Sequence, residues 1–223
     1  MNAREYALVL GAWLRLPAAD ILRVFSTLRR GGRMPADARE GLSAKEAACG
    51  LVSVLAASLE GGDPSPEACS EACGMALAAP STADKDPLEG RERRLFCDLV
   101  GASLGTLSGN GYLVFAETIG QALEKWRENA DSIELSKVSV RIRGMSPYGV
   151  VEAAAADGPV AWAFSPGGAA LDKDGLYREA TVDRVTLSGI AHVLSADGAR
   201  FRTGGRTRPP RQPRRTSGAR SEA

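Results

Sequence analysis

Residues 14–35 read LRLPAADILRVFSTLRRGGRMP and predict a helix that begins at Pro17 and ends at a pair of glycines. Proline suits the first helical turn because its φ is already close to the helical value and its missing N–H is not needed there. Apolar side chains then recur at the spacing of one helix face: Ile21, Leu22, Phe25 and Leu28. Such a face packs into a core. Gly31-Gly32 ends the helix, since glycine takes the left-handed conformation of a C-cap at no steric cost.

The opposite face of this helix is polar and basic. It carries Arg23, Ser26, Thr27, Arg29 and Arg30, and Arg33 extends the basic side beyond the turn. Another amphipathic helix, Glu5 to Leu14, precedes it after a very short joint. Two short helices at a tight corner, the second basic on its outer face, are the arrangement of DNA-reading helix pairs. We therefore predict that these six residues contact DNA through phosphates or base edges; a merely solvated surface helix is the alternative.

The charge of the chain is unevenly distributed. The 223 residues carry 28 basic and 27 acidic side chains, enough for one large domain or two small ones. Eight arginines but one acid lie in the last 24 residues, so the preceding body has 20 basic and 26 acidic side chains. Residues 200–223 hold almost no apolar side chains and are predicted to be a disordered tail. Its predicted phosphate contacts are Arg206, Arg208, Arg211, Arg214 and Arg215. A nucleic-acid tether and a merely solubilising tail both fit this composition.

Helical patterns fill the first 130 residues. Ser43-Ala-Lys-Glu46 matches a capping box and starts a small-residue helix that runs to Leu59 and is predicted to be buried. Asp63 or Ser65 caps the next helix, Pro66 to Ala78. Two further segments are predicted at 91–107 and 111–126, the second with a helical pattern over 114–127; the glycine-rich residues 101–111 fit a loop or a strand pair as well. Residues 1–130 are therefore predicted to form an all-helical domain, with the helix pair at 4–35.

The pattern changes at Ser136. Lys137 to Arg143 alternates between apolar and polar residues, as a half-buried strand does. Three further strands are predicted at 150–156, 160–164 and 177–184, followed by a helix at 186–194 with Thr186 as its cap. Residues 136–199 are therefore predicted to be a small α+β domain, and the fold class of the whole chain is α+β.

Few residues favour catalysis or metal binding. His192 is the only histidine, and it falls on the apolar stretch Ile190 to Leu194, where a packed ring is more common than a catalytic one. The glycines of 101–111 lack the Gly-Lys-Ser/Thr ending of a phosphate-binding loop. Cys69 and Cys73 share one side of a helix, but Cys49 and Cys97 lie too far away in sequence for a four-ligand zinc site. We expect small buried thiols, no metal, no cofactor and no enzymatic activity.

The sequence also predicts the compartment. No secretory signal precedes the four cysteines, and no stretch approaches the roughly 18 apolar residues that a membrane span needs. We expect a cytoplasmic protein with reduced cysteines and no membrane partner.

A resemblance accompanies the helix pair. Leu14-Arg-Leu-Pro17, ten residues and then Leu28-Arg-Arg-Gly-Gly-Arg-Met-Pro35 resembles the LGLP…LREAGLLP phrase of many bacterial helix-turn-helix regulators. It is similar to the N-terminal modules of small proteins carried by phages and integrated elements, in which a buried small-residue helix follows. The resemblance covers roughly the first 60 residues. Gly31-Gly32-Arg33 departs from it, because the family has an apolar residue where Arg33 stands.

The resemblance implies a sequence-specific DNA-binding protein of phage or mobile-element origin, and we expect a transcriptional regulator. Its partner would be double-stranded DNA, and its C-terminal domain would serve dimerisation, giving a homodimer, or effector sensing. Two alternatives stay open: a phage packaging adaptor that docks DNA to a larger machine, and a protein-binding inhibitor of a host factor, whose helix face and arginine tail would meet an acidic protein.

Overall fold

The protein has an α+β fold, which confirms the predicted class. The computed structural model describes residues 1–37, 39–60, 65–77, 90–101, 114–128, 137–143, 148–155, 158–166 and 179–203. Its helices are α1 (Ala3–Leu14), α2 (Ala18–Arg30), α3 (Ala44–Glu60), α4 (Pro66–Gly74), α5 (Gly90–Val100), α6 (Phe115–Glu128) and α7 (Arg184–Thr203). Its strands are β1 (Ala76–Leu77), β2 (Lys137–Arg143), β3 (Tyr148–Ala155), β4 (Gly158–Ser165) and β5 (Glu179–Val182).

The corner between α1 and α2 is built from local hydrogen bonds. The Asn2 side chain accepts from the Glu5 backbone N–H, and the Glu5 carboxylate accepts from the Asn2 N–H, so α1 starts with a capping box. Arg15 ends α1 in the left-handed conformation, and the Leu16 N–H donates to the Gly11 carbonyl at 3.1 Å. A Cβ at Gly11 would lie 2.9 Å from the Leu16 carbonyl oxygen, so this tight turn requires glycine.

Two of the predicted helix caps are present. Ser43 and Glu46 form the expected capping box at the start of α3, since each accepts a hydrogen bond from the other's backbone N–H. The Ser65 hydroxyl accepts from the Ala68 N–H at 3.1 Å and caps α4. The predicted end of α4 is wrong: the helix stops at Gly74, because Ala76–Leu77 pair with Phe164 and Ser165 of β4.

The strands form a five-stranded antiparallel sheet in the order β1-β4-β3-β2-β5. The predicted strand at 137–143 is confirmed residue for residue as β2. Val138, Val140 and Ile142 are its buried side chains, and α3 and α7 contact this strand. The helices therefore pack on the face of the sheet that these alternate residues define.

Several element boundaries differ from the predictions. β4 begins at Gly158 and not at 160, and β3 begins two residues before the predicted 150. At α7, the Asp183 carboxylate accepts from the Thr186 N–H at 2.9 Å, so Asp183 occupies the capping role predicted for Thr186. α7 then continues to Thr203, past the predicted start of the tail at residue 200. The predicted segments at 102–107 and 111–113 lie outside the described residues.

The buried side chains form one continuous cluster that includes residues of all seven described helices and of β2 to β5. The prediction that residues 1–130 are all-helical is wrong, because strand β1 lies within them and pairs with β4 from the later part of the chain. The predicted division into residues 1–130 and 136–199 stays a prediction.

Candidate nucleic-acid interface

The outer face of α2 presents an exposed strip of three of the predicted DNA contacts. Arg23, Ser26 and Arg30 are exposed, and we name them the α2 strip. They are three and four residues apart, so they are neighbours along one side of the helix. The opposite side is fully packed, with Ile21, Val24, Phe25 and Leu28 in the core. The prediction that Leu22 is buried is wrong: it is only partly buried, and Val24 lies in the core instead.

The core side of α2 is anchored on α1. The rings of Tyr6 and Phe25 stack at 5.7 Å with an angle of 14° between their planes. The Tyr6 hydroxyl donates to the Ala47 carbonyl oxygen on α3 at 2.8 Å. Burial raises the pKa of Tyr6 above its usual range, so this hydroxyl stays a hydrogen-bond donor. The packing of α1, α2 and α3 against one another thus fixes the orientation of the α2 strip.

Thr27 does not belong to the exposed face, so the prediction that it points outward with the strip is wrong. It is 5% exposed, because its position lies beside Val24 and Leu28 on the packed side. Its hydroxyl oxygen accepts from the Arg30 guanidinium at 3.2 Å. Thr27 therefore positions Arg30 and does not itself reach a ligand.

The two exposed arginines of the strip have only weak intramolecular partners. Arg23 pairs with Asp20 one turn earlier, and both side chains are exposed. Such a surface pair contributes about 0–1 kcal/mol, so a phosphate can replace the carboxylate at little cost. Arg29 and Arg30 lie in the last turn of α2, where the helix dipole stabilises positive charge.

Arg29 and Arg33 are less accessible than the strip. Arg29 is partly buried, and its Nε atom has no hydrogen-bond partner within the described part of the chain. Arg33 donates to the Ser70 hydroxyl on α4 at 2.9 Å. It also lines an open surface cleft with two carboxylates of α4, Glu67 and Glu71. A phosphate at Arg33 would meet these like charges, so Arg33 does not extend the basic surface as expected.

Arg15 is an exposed arginine that was not singled out from the sequence. Arg15 stands at the α1–α2 corner with φ 55°, in the left-handed region. Periodicity does not find such a residue, because it belongs to neither helix. The signal available in the sequence was its position directly before Leu16-Pro17, where the chain must turn.

The remaining predicted contacts lie in the tail. Arg206, Arg208, Arg211, Arg214 and Arg215 all fall outside the described residues. The five arginines follow the C-terminal end of α7, which is at Thr203, in the sequence.

The histidine, the cysteines and the acidic side chains offer no metal site in the part of the chain that the structure describes. His192 is exposed on α7. Within the described ranges, no three His, Cys, Asp or Glu side chains come together to hold a metal ion. None of the described helices combines the length and the apolar character that crossing a bilayer requires. All four cysteines are buried and free of disulfides, as expected of small core thiols.

Comparison with known proteins adds no relative. Neither a protein-family model, nor a curated protein, nor a solved structure matches this chain. The resemblance of the first 60 or so residues to helix-turn-helix modules therefore stays a prediction.

Proposed function

We propose that the protein binds double-stranded DNA through the α2 strip. The observation that carries the proposal is the exposure of Arg23, Ser26 and Arg30 along one side of a helix whose other side is fixed in the core. Arginine donates two hydrogen bonds to a guanine edge or to a phosphate, and serine reaches either. We further propose sequence-specific recognition by a regulator of phage or mobile-element origin that acts as a homodimer, without a cofactor or enzymatic activity.

The packing supports the use of α2 as the reading helix. A helix that enters the major groove needs an exposed face and a partner helix that holds it at a fixed angle. α1 supplies that partner through Tyr6 and Leu10, which are completely buried. The short joint between the helices, closed by the Leu16–Gly11 hydrogen bond, limits their relative movement.

A protein partner is the second candidate, and one observation favours it. Leu8 and Trp13 on α1 and Val185 on α7 are the large apolar side chains that the described residues expose. The Trp13 ring lies against α7, since a Cβ at Gly189 would come within 2.7 Å of it. α1 and α7 are thus in contact at Trp13, and the exposed apolar side chains near this contact are candidates for meeting a protein partner.

The decisive experiment removes the charges of the α2 strip. Arg23→Ala and Arg30→Ala are each expected to weaken specific DNA binding by about 1–3 kcal/mol, roughly 5- to 150-fold. Their unfolding free energies should change by no more than about 0.5 kcal/mol, because both side chains are exposed. Binding is measured by electrophoretic shift, at two salt concentrations, with target sites selected from a random-sequence library.

Arg94→Ala is the matched control, because Arg94 is an exposed arginine on α5. It should leave specific binding unchanged. A folded Arg23/Arg30 double alanine variant that binds DNA like the parent protein would refute the proposal. If neither the parent nor the double variant binds DNA, and the double variant loses binding to a protein partner that the parent binds, the second candidate is supported.

Removal of residues 204–223 tests the role of the tail. The deletion removes six arginines and is expected to flatten the dependence of log affinity on log salt, because fewer counterions are released from the DNA. Preference between target and random DNA should survive. Both quantities are obtained from affinities measured at four or more salt concentrations. An unchanged salt dependence, or a lost preference for the target sequence, would show that the tail is not a simple electrostatic tether.

A further inference from the structure

Two cysteine thiols meet where α3 packs against α4. The Cys73 thiol lies 3.6 Å from the backbone carbonyl oxygen of Cys49, to which it donates, and 3.4 Å from the Ser53 hydroxyl. Each thiol also shifts the pKa of the other. Cys49 is 4% exposed and Cys73 is completely buried. The two residues are 24 apart in sequence, so the contact of the Cys73 sulfur with Cys49 is a product of the tertiary fold.

Charged groups around the pair make the two thiols unequal. The hydrogen bond from Cys73 lowers the pKa of Cys49, and the nearby charges of Arg33 and Lys45 lower it further, whereas burial opposes them. The same hydrogen bond, together with burial, raises the pKa of Cys73. Tyr6 also faces Cys49 and stays protonated. These effects favour the thiolate on Cys49 over a thiolate on Cys73.

Arg33 connects the buried pair to solvent. Its guanidinium donates to the Ser70 hydroxyl at 2.9 Å, and its positive charge lowers the pKa of Cys49. Arg33, Ser70 and Gly74 line the open cleft beside α4. The cleft therefore shares Arg33 with the surroundings of Cys49.

We propose that Cys49 and Cys73 are an oxidisable thiol pair that hydrogen peroxide converts into a disulfide between α3 and α4. The Cys49 thiolate attacks one peroxide oxygen, the O–O bond breaks, and hydroxide leaves; Cys49 becomes a sulfenic acid. The Cys73 sulfur then attacks the Cys49 sulfur, its proton and the sulfenic hydroxyl leave as water, and the S–S bond forms. One peroxide is reduced to water and hydroxide while two thiols are oxidised, and the Cys73 side chain has no need to cross the interface.

Oxidation changes the charge next to Arg33. The disulfide has no negative charge, so Arg33 keeps its hydrogen bond to Ser70 but no longer faces a thiolate on Cys49. The loss of this negative charge does not depend on DNA binding, because it involves only Cys49, Cys73 and Arg33.

The test treats the reduced full-length protein with a few equivalents of hydrogen peroxide and maps its cysteines by mass spectrometry after proteolysis. The expected product is a peptide that joins Cys49 to Cys73 with a mass lower by two hydrogen atoms, and dithiothreitol should remove it. A disulfide that involves Cys69 or Cys97 instead would overturn the proposal. So would persistence of both thiols, or accumulation of Cys49 sulfinic acid without a disulfide.

Single variants assign the roles. Cys73→Ser should stop at a Cys49 sulfenic acid, which dimedone traps, whereas Cys49→Ser should leave Cys73 reduced; Cys97→Ser is the control and should form the disulfide normally. Arg33→Gln should shift the pH profile of Cys49 alkylation to higher pH, because it removes a positive charge that favours the thiolate. Arg33→Lys should restore much of the parent profile. Identical profiles for the parent and Arg33→Gln proteins would remove Arg33 from the proposal.

Discussion

Phe25→Ala is expected to lower the free energy of unfolding by about 3–5 kcal/mol, because it leaves a cavity at the centre of the three-helix contact. The Phe25 ring is completely buried and stacks on Tyr6. It also fills the space above Gly50 on α3, where a Cβ would lie 3.0 Å from a ring carbon. Urea unfolding should show a lower midpoint with an unchanged slope, as expected when stability changes and the exposed surface does not.

The informative comparison is with Arg23→Ala on the other side of the same helix. That variant should retain the stability of the parent and lose DNA affinity, whereas Phe25→Ala loses stability. A Phe25→Ala protein that unfolds at the parent's urea concentration would show that α2 does not pack on α1 and α3 as described.

The helical pattern around α2 was readable from the sequence because each signal is local. Apolar spacing marks Ile21, Phe25 and Leu28, and Pro17 fixes the start. The capping box at Ser43 is likewise a matter of residues three apart. Strand β2 was found because alternation over seven residues has no competing helical explanation.

The errors have tertiary causes. α4 ends early because Ala76–Leu77 pair with β4, a contact between residues almost 90 positions apart that no local pattern contains. Leu22 was expected in the core, yet Val24 lies there, since the direction from which α1 and α3 approach selects which side chains are covered.

The candidate interface was predictable in outline and not in detail. Helical spacing placed Arg23 and Arg30 on one side correctly, since both follow from the buried stripe. Thr27 was misplaced, because a small hydroxyl fits at the edge of a core when a neighbour, here Arg30, supplies its hydrogen bond. The surroundings of Arg33 include carboxylates of α4, and the sequence near residue 33 gives no signal of them. The contact between Cys49 and Cys73 is hidden for the same reason.

Phe115→Ala is also expected to cost about 3–5 kcal/mol of unfolding free energy. The ring at the start of α6 is completely buried, lies 5.2 Å from the Phe164 ring, and covers Gly149 on β3. A Cβ at Gly149 would come within 2.4 Å of the Phe115 ring. This side chain therefore joins α6 to two neighbouring strands, and thermal or urea unfolding should register its loss directly.

Gly149→Ala alone should cost about 1–3 kcal/mol, because the added methyl group has no room and the ring must shift. In the Phe115→Ala background, the same methyl group enters the space that the ring has left. The double variant should therefore be more stable than the sum of the two single losses predicts, by about 1–3 kcal/mol. Gly120→Ala is a suitable control, because its Cβ would meet the Lys45 backbone on α3 and not Phe115. The losses of unfolding free energy caused by Gly120→Ala and Phe115→Ala should add in the double variant. If the losses caused by Gly149→Ala and Phe115→Ala also added, the contact between α6 and β3 would be contradicted.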